Sequence, residues 1–280
     1  MRPSAGFGGR AVGGRVHPGA MYEERTSRLR GAVCWTRAAV PPGTTGRVLP
    51  DGCMDLLLWN GELVVAGPDT RAHLATERAG LPAYGLRLPP GTGPRVFGPP
   101  AWELRDRRTP LADLWPAGRV RELTERVAGA RDPLAALEQV AAERLAAPER
   151  TAAERRAAAQ EEAVVAALRE GAGVARTARG VGLSERQLHR RCRAAFGYGP
   201  KTLARVLRMQ RALHLARSGT ALAGAAQLAG YADQAHLSRE VRALAGAPLT
   251  ALVPAAGRRA GQSFGANRST PLPSGSRTTA

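Results

Sequence analysis

Acidic residues, lysine, cysteine and aromatic side chains are all scarce in this chain of 280 residues. Its cysteines, Cys34, Cys53 and Cys192, are odd in number and far apart. With no Cys-x-x-Cys pair, they exclude a disulfide framework and a zinc or dithiol motif, and a reducing compartment is expected. Aromatics make up 4% of the chain, too few for the base-stacking platforms of single-strand binders. No stretch approaches the ~18 apolar residues of a membrane span, and the N-terminus lacks the apolar run of a secretory signal, so a soluble, cytoplasmic protein is expected. Phosphate-binding loops, Gly-x-Ser-x-Gly elbows and His-Glu-x-x-His motifs are missing as well. The reading is therefore of a protein that is not an enzyme and needs no metal or cofactor.

Basic residues are plentiful. Lys+Arg number 41 against 23 Asp+Glu, a formal charge of +18, and Lys201 is the one lysine among them. Such a balance calls for a polyanionic partner. Codon usage in a GC-rich genome also yields arginine, so the deciding question is whether the arginines line one face of a motif.

Composition divides the chain. Residues 1–20, dominated by Gly, Pro and Arg, read as a flexible basic arm, and 255–280, rich in Gly, Ser, Thr and Pro, as a disordered tail. Across 21–118, short apolar runs at 46–50, 54–59, 63–66 and 84–88 alternate with Pro-Gly, Asp-Gly and Gly-Pro turns, the pattern of a β-rich, regulatory domain. Residues 100–104 read as helical, and 107–115 as a loop leading into a short helix. From 119 to 163, Ala, Leu, Glu and Arg with apolar residues at helical spacing predict a helical linker.

The last third contains a repeat. Ser184, Leu188, Cys192 and Gly197 recur as Asp233, Leu237, Val241 and Gly246, all at one offset of 49 residues. Ala178 and Ala226 precede them, small residues where one helix approaches the next closely, and a Gly-containing turn, with Gly230 in the second unit, redirects the chain. Ser184 and Asp233 are good N-caps, and Gln187 completes a capping-box pattern with Ser184. Leu188, Cys192 and Ala195 form an i, i+4, i+7 stripe, as do Leu237, Val241 and Leu244. The opposite face carries Arg186, Arg190 and Arg193, flanked by Gln187 and His189. In the second unit it carries Ala235, Arg239 and Arg242, with Gln234, His236 and Ser238 beside them. A basic row opposite an apolar stripe is what a recognition helix needs in the major groove, where Arg can bond guanine twice. Neither histidine has a carboxylate or cysteine at metal-ligand spacing, so no metal is expected there. Between the units, 200–217 predict a long helix with Pro at its first turn, a rigid spacer between two heads about 34 Å apart on DNA.

These residues, within 164–254 and most densely at 230–239 (GYADQAHLSR), resemble the AraC-type (AraC/XylS) family of bacterial transcription regulators. The resemblance implies a seven-helix domain with two helix-turn-helix units that binds promoter DNA and commonly contacts RNA polymerase. The sequence departs from the pattern at Cys192 and Val241, where the family usually has Phe, and at Ala247, which alone separates Gly246 from Pro248. Upstream, 49–56 (LPDGCMDL), 65–69, 88–91 and 104–115 resemble an uncharacterised N-terminal domain found ahead of such units. By analogy that domain binds a small-molecule effector or forms a homodimer. Asp55, which interrupts an apolar run, and Cys53, as a thiol, are the candidate effector or sensor groups. Asp55 reads equally as a buried hydrogen-bonding residue, and Cys53 reads more readily as a small core residue.

The expected fold class is thus α+β: a small β-rich N-terminal domain, then an all-α domain with two helix-turn-helix units joined by a long helix. The expected function is a sequence-specific regulator whose recognition helices enter successive major grooves of double-stranded promoter DNA. The alternatives are a nonspecific architectural nucleic-acid-binding protein, drawing on charge alone, and a DNA-repair alkyltransferase-like enzyme using Cys53.

Overall fold

The computed structural model describes residues 22–146 and 151–253. The basic arm and the tail expected at the two ends lie outside them.

A six-stranded antiparallel sheet organises the N-terminal half. Its strands are β1 (Tyr22–Thr26), β2 (Val33–Arg37), β4 (Met54–Trp59), β5 (Glu62–Ala66), β7 (Ala83–Leu88) and β8 (Arg108–Pro110), in the order β1-β2-β7-β4-β5-β8. A separate ribbon pairs β3 (Thr45–Val48) with β6 (His73–Thr76). Because side chains alternate along a strand, Met54, Leu56 and Leu58 of β4 share one face with Leu86 and Leu88 of β7, inside the main core. Asp55, Leu57 and Arg87 take the other face. Trp35 of β2 joins them, lying on Gly85 so closely that a Cβ there would meet the indole at 2.1 Å.

The apolar face is covered by α1 (Gly93–Phe97), α2 (Ala117–Ala128) and α3 (Pro133–Leu145). Val120, Leu123 and Val127 of α2 and Leu137, Val140 and Ala141 of α3 are buried in the same core as the sheet. The segment expected as a linker from residue 119 therefore starts as an integral layer of the β-rich domain. Its apolar stripe matches the one uncovered sheet face, and burial there outweighs any linker role. Residues 107–115, expected as a loop leading into a short helix, do end in a short 3-10 helix, Leu111–Asp113, but the stretch before it pairs as β8.

The C-terminal part holds seven helices among the described residues: α4 (Ala152–Arg169), α5 (Val174–Gly180), α6 (Glu185–Phe196), α7 (Pro200–Arg217), α8 (Leu222–Leu228), α9 (Gln234–Ala245) and α10 (Leu249–Leu252). They enclose two cores. The first gathers Val164, Leu168, Leu188, Cys192, Phe196 and Leu203; the second gathers Met209, Leu213, Leu237, Val241 and Leu244. Helix α7 contributes to both and joins them.

Candidate nucleic-acid interface

Each helix-turn-helix unit is set by local chemistry. Ser184 accepts a bond from the Gln187 N–H at 3.2 Å, and the Gln187 side chain accepts from the Ser184 N–H at 2.8 Å, so α6 starts with a reciprocal capping box. Asp233 accepts from the His236 N–H at 2.6 Å at the start of α9. Helix α6 ends at Gly197, whose φ of +84° is the left-handed conformation that terminates a helix without a Cβ penalty. Gly246 ends α9 in the same region of backbone space.

The buried stripes anchor the helices. Leu188 and Cys192 of α6, and Leu237 and Val241 of α9, are each 0% exposed. Cys192 is a small side chain, and Phe196, one turn further along, lies in the same core. On the opposite faces Arg186, Gln187, Arg190 and Arg193 of α6 are exposed, as are Gln234, Ala235, Arg239 and Arg242 of α9. The fold thus brings each predicted row together on one accessible side of its helix.

The flanking residues are more constrained. His189 lies against Gly199, where an added Cβ would sit 2.7 Å from Nε2, so the imidazole braces the start of α7. The His236 ring packs edge-on to Tyr231, with centroids 5.2 Å apart, and its Nδ1 accepts a long bond from the Ala232 N–H. Ser238 is half-buried. Arg193 is drawn toward the N-terminal domain, its guanidinium 5.9 Å from the Trp102 ring centre. Helix α9 is also tied to α7 by a two-pronged pair, Arg205 donating from Nε and Nη2 to Glu240 at 3.0 Å each.

Asp55 and Cys53 lie on the sheet face away from the main core. Asp55 accepts from Trp35 Nε1 at 2.8 Å. Arg87, buried on the same face, donates to Glu24 at 2.9 Å, and its Nε is 3.3 Å from Asp51. Burial, reinforced by the Asp51 carboxylate, pushes the Cys53 thiol well above its usual range. That opposes the thiolate a reactive cysteine requires. Tyr198, from the DNA-binding side, buries its hydroxyl without a hydrogen-bond partner. Among the described residues no group of three or more His, Cys, Asp or Glu is placed to hold a metal ion.

Burial also raises Asp51 to about 6, with Arg87 pulling it down and Asp55 pushing it up. A carboxyl raised in the folded state releases its proton later than in the unfolded chain, so its contribution to stability is lost as pH rises from about 4 to about 6. Asp51→Asn should remove that slope. Urea midpoints followed across this pH window check it: the variant is expected to show a flatter profile than wild type, and an unchanged profile would assign the slope elsewhere.

Two capped helices with exposed arginine rows, each preceded by a short helix at a tight turn, define a DNA-binding helix-turn-helix protein. Residues 177–253 match the family model described as a helix-turn-helix domain, and residues 32–110 match one described as a domain of unknown function (DUF6597). The chain therefore carries an AraC-type helix-turn-helix domain behind a domain of that second family, the composition of a DNA-binding transcription regulator. No curated protein matches it. Among solved structures it is similar to the crystal structure of ToxT from Vibrio cholerae O395, at 8% identity and a TM-score of 0.35, over 81% of this chain and 95% of that one. No helix among the described residues is long and apolar enough to cross a membrane.

Proposed function

We propose that the protein is a sequence-specific, non-catalytic regulator that reads double-stranded promoter DNA with α6 and α9 in successive major grooves. The observation that carries this reading is the pairing of two exposed arginine rows with one rigid connector. Helix α7 has 18 residues, about 27 Å at 1.5 Å per residue, comparable to one turn of B-DNA. Arg186, Gln187 and Arg190 on α6, and Gln234, Ala235 and Arg239 on α9, occupy the first two turns and are the proposed base readers. Arg193 and Arg242, in the last turns, suit phosphates, and His189, His236 and Ser238 orient the heads from their flanks. The β-rich domain is the proposed regulatory part, with Asp55 and Cys53 marking the face an effector would act on and homodimer formation a further role. Contact with RNA polymerase and a cytoplasmic location follow from the same reading.

Selection of bound duplexes from a random library, by the full chain at two salt concentrations, tests this. A motif with two blocks about one helical turn apart supports it. Strong, salt-sensitive binding without a motif would leave only phosphate neutralisation, the behaviour of an architectural protein. On the selected site, Arg239→Ala is expected to lose ~1–3 kcal/mol of discrimination at one base position if it reads a base. A uniform loss across sequences, measured by competition binding, would make it a phosphate contact.

A further inference from the structure

We infer that the N-terminal domain sets the separation and tilt of the two recognition helices by clasping the C-terminal end of each, and so fixes the spacing of the DNA blocks the protein accepts. This rests on the two-headed reading above.

The last carbonyls of a helix have no partner within it and must find one elsewhere. At the end of α9, the Leu244 carbonyl accepts from the Ala72 N–H at 2.7 Å, and the Ala245 carbonyl accepts from Arg47 Nη1 at 2.7 Å. A cation there also suits the negative end of the helix dipole. At the end of α6, the Gly197 carbonyl accepts from Arg105 Nη1 at 3.4 Å. Gly197 sits so close to the N-terminal domain that an added Cβ would lie 2.5 Å from Pro68 Cγ and 3.2 Å from the Ala101 carbonyl. Both helix ends therefore rest on the same domain.

The two grips are joined by one short segment. Pro68 touches the end of α6 and Ala72 the end of α9, four residues later, so the two contact points are at most about 14 Å apart along the chain. The loop between them is braced. Asp69 forms a two-pronged pair with Arg108, at 2.9 and 2.6 Å, and Asp106 accepts from the Thr70 N–H at 2.6 Å and from its hydroxyl. A second strut runs along α7: Gln210 donates to the Pro50 carbonyl at 2.6 Å, and Leu49 is 1% exposed inside the core of the second unit. Gly52, three residues on, lies against Leu203 in the core of the first. Without these contacts α7 would be the main link between the heads. With them, the heads, the connector and the β-rich domain form a closed frame.

The test uses the full chain and duplexes carrying both selected blocks, with the spacer lengthened or shortened by one or two base pairs, beside a duplex carrying one block. Wild type should prefer one spacer by about tenfold over its neighbours. Arg47→Ala releases α9 and Asp106→Gly unbraces the loop at a residue whose φ of +59° glycine accepts. Each should flatten the spacer preference to about threefold or less while leaving single-block affinity unchanged, and Arg47→Lys should restore it. Wild-type spacer preference retained in both variants overturns the inference, as does an equal loss of affinity on every duplex including the single block. A wild-type chain that selects no two-block site at all overturns the DNA reading itself, and is told apart by that result.

Discussion

Gly67→Ala is expected to destabilise the protein by about 3 kcal/mol or more, the upper end of what overpacking costs. A Cβ at this position would lie 1.7 Å from the Leu104 carbonyl oxygen and 2.6 Å from its carbon. Neither side can withdraw. The Gly67 N–H donates to the Arg107 carbonyl at 2.9 Å, and Leu104 is held by Ala101 before it and Arg107 after it. The clash would also push Pro68 and Ala101, the two groups that seat the end of α6, so loss of DNA binding should accompany loss of stability. Urea denaturation of wild type and variant checks the first effect; a change below about 1 kcal/mol would mean that the two backbone segments move apart freely.

Leu237→Ala should cost about 2–5 kcal/mol, since it removes a fully buried side chain from the core of the second unit and leaves a cavity. Domains are stable by only about 5–15 kcal/mol, so this is a large fraction of the total. Leu237 is the first residue of the buried stripe of α9, and its loss should release that helix before the first unit is affected. The expected binding result is a selected motif reduced to the block read by α6. Equal weakening of both blocks, at unchanged stability, would contradict the assignment of Leu237 to the second core.

The helix-turn-helix units were the most legible part of the sequence because what defines them is local. A capping residue, a residue three places on that returns the bond, an apolar stripe at i and i+4, and a glycine at the left-handed end all lie within one short run, and Ser184 to Gly197 contains every one. The sheet was half legible. Strand β4 (MDLLLW) is strongly apolar, whereas β1 (YEERT) is polar and β6 (HLAT) has four residues, too few for alternation to register. Helices α2 and α3 were visible as helices, yet their place in the β-rich core depends on which sheet face is left uncovered, a property of the assembled sheet.

The contacts between the two parts were not legible at all. Arg47 and the Ala245 carbonyl it bonds are 198 residues apart, and Gln210 and Pro50 are 160 apart. Nothing in the local pattern at Leu49 distinguishes a strand end from a side chain inserted into another unit's core. For the same reason Arg193 reads in sequence as one more member of the basic row, while in the fold Trp102 lies under its guanidinium. Distance along the chain hides such pairings, whereas side-chain caps and apolar stripes announce themselves.

The central claim is that α6 and α9 each read bases in a major groove. Methylation interference at guanine N7, on the site selected by the full chain, tests it most directly, because N7 lies on the major-groove edge that arginine engages. Two clusters of interfering guanines about one helical turn apart are expected, with the cluster assigned to α9 lost in Arg239→Ala. Interference confined to a single cluster, or binding indifferent to guanine methylation throughout, would contradict it.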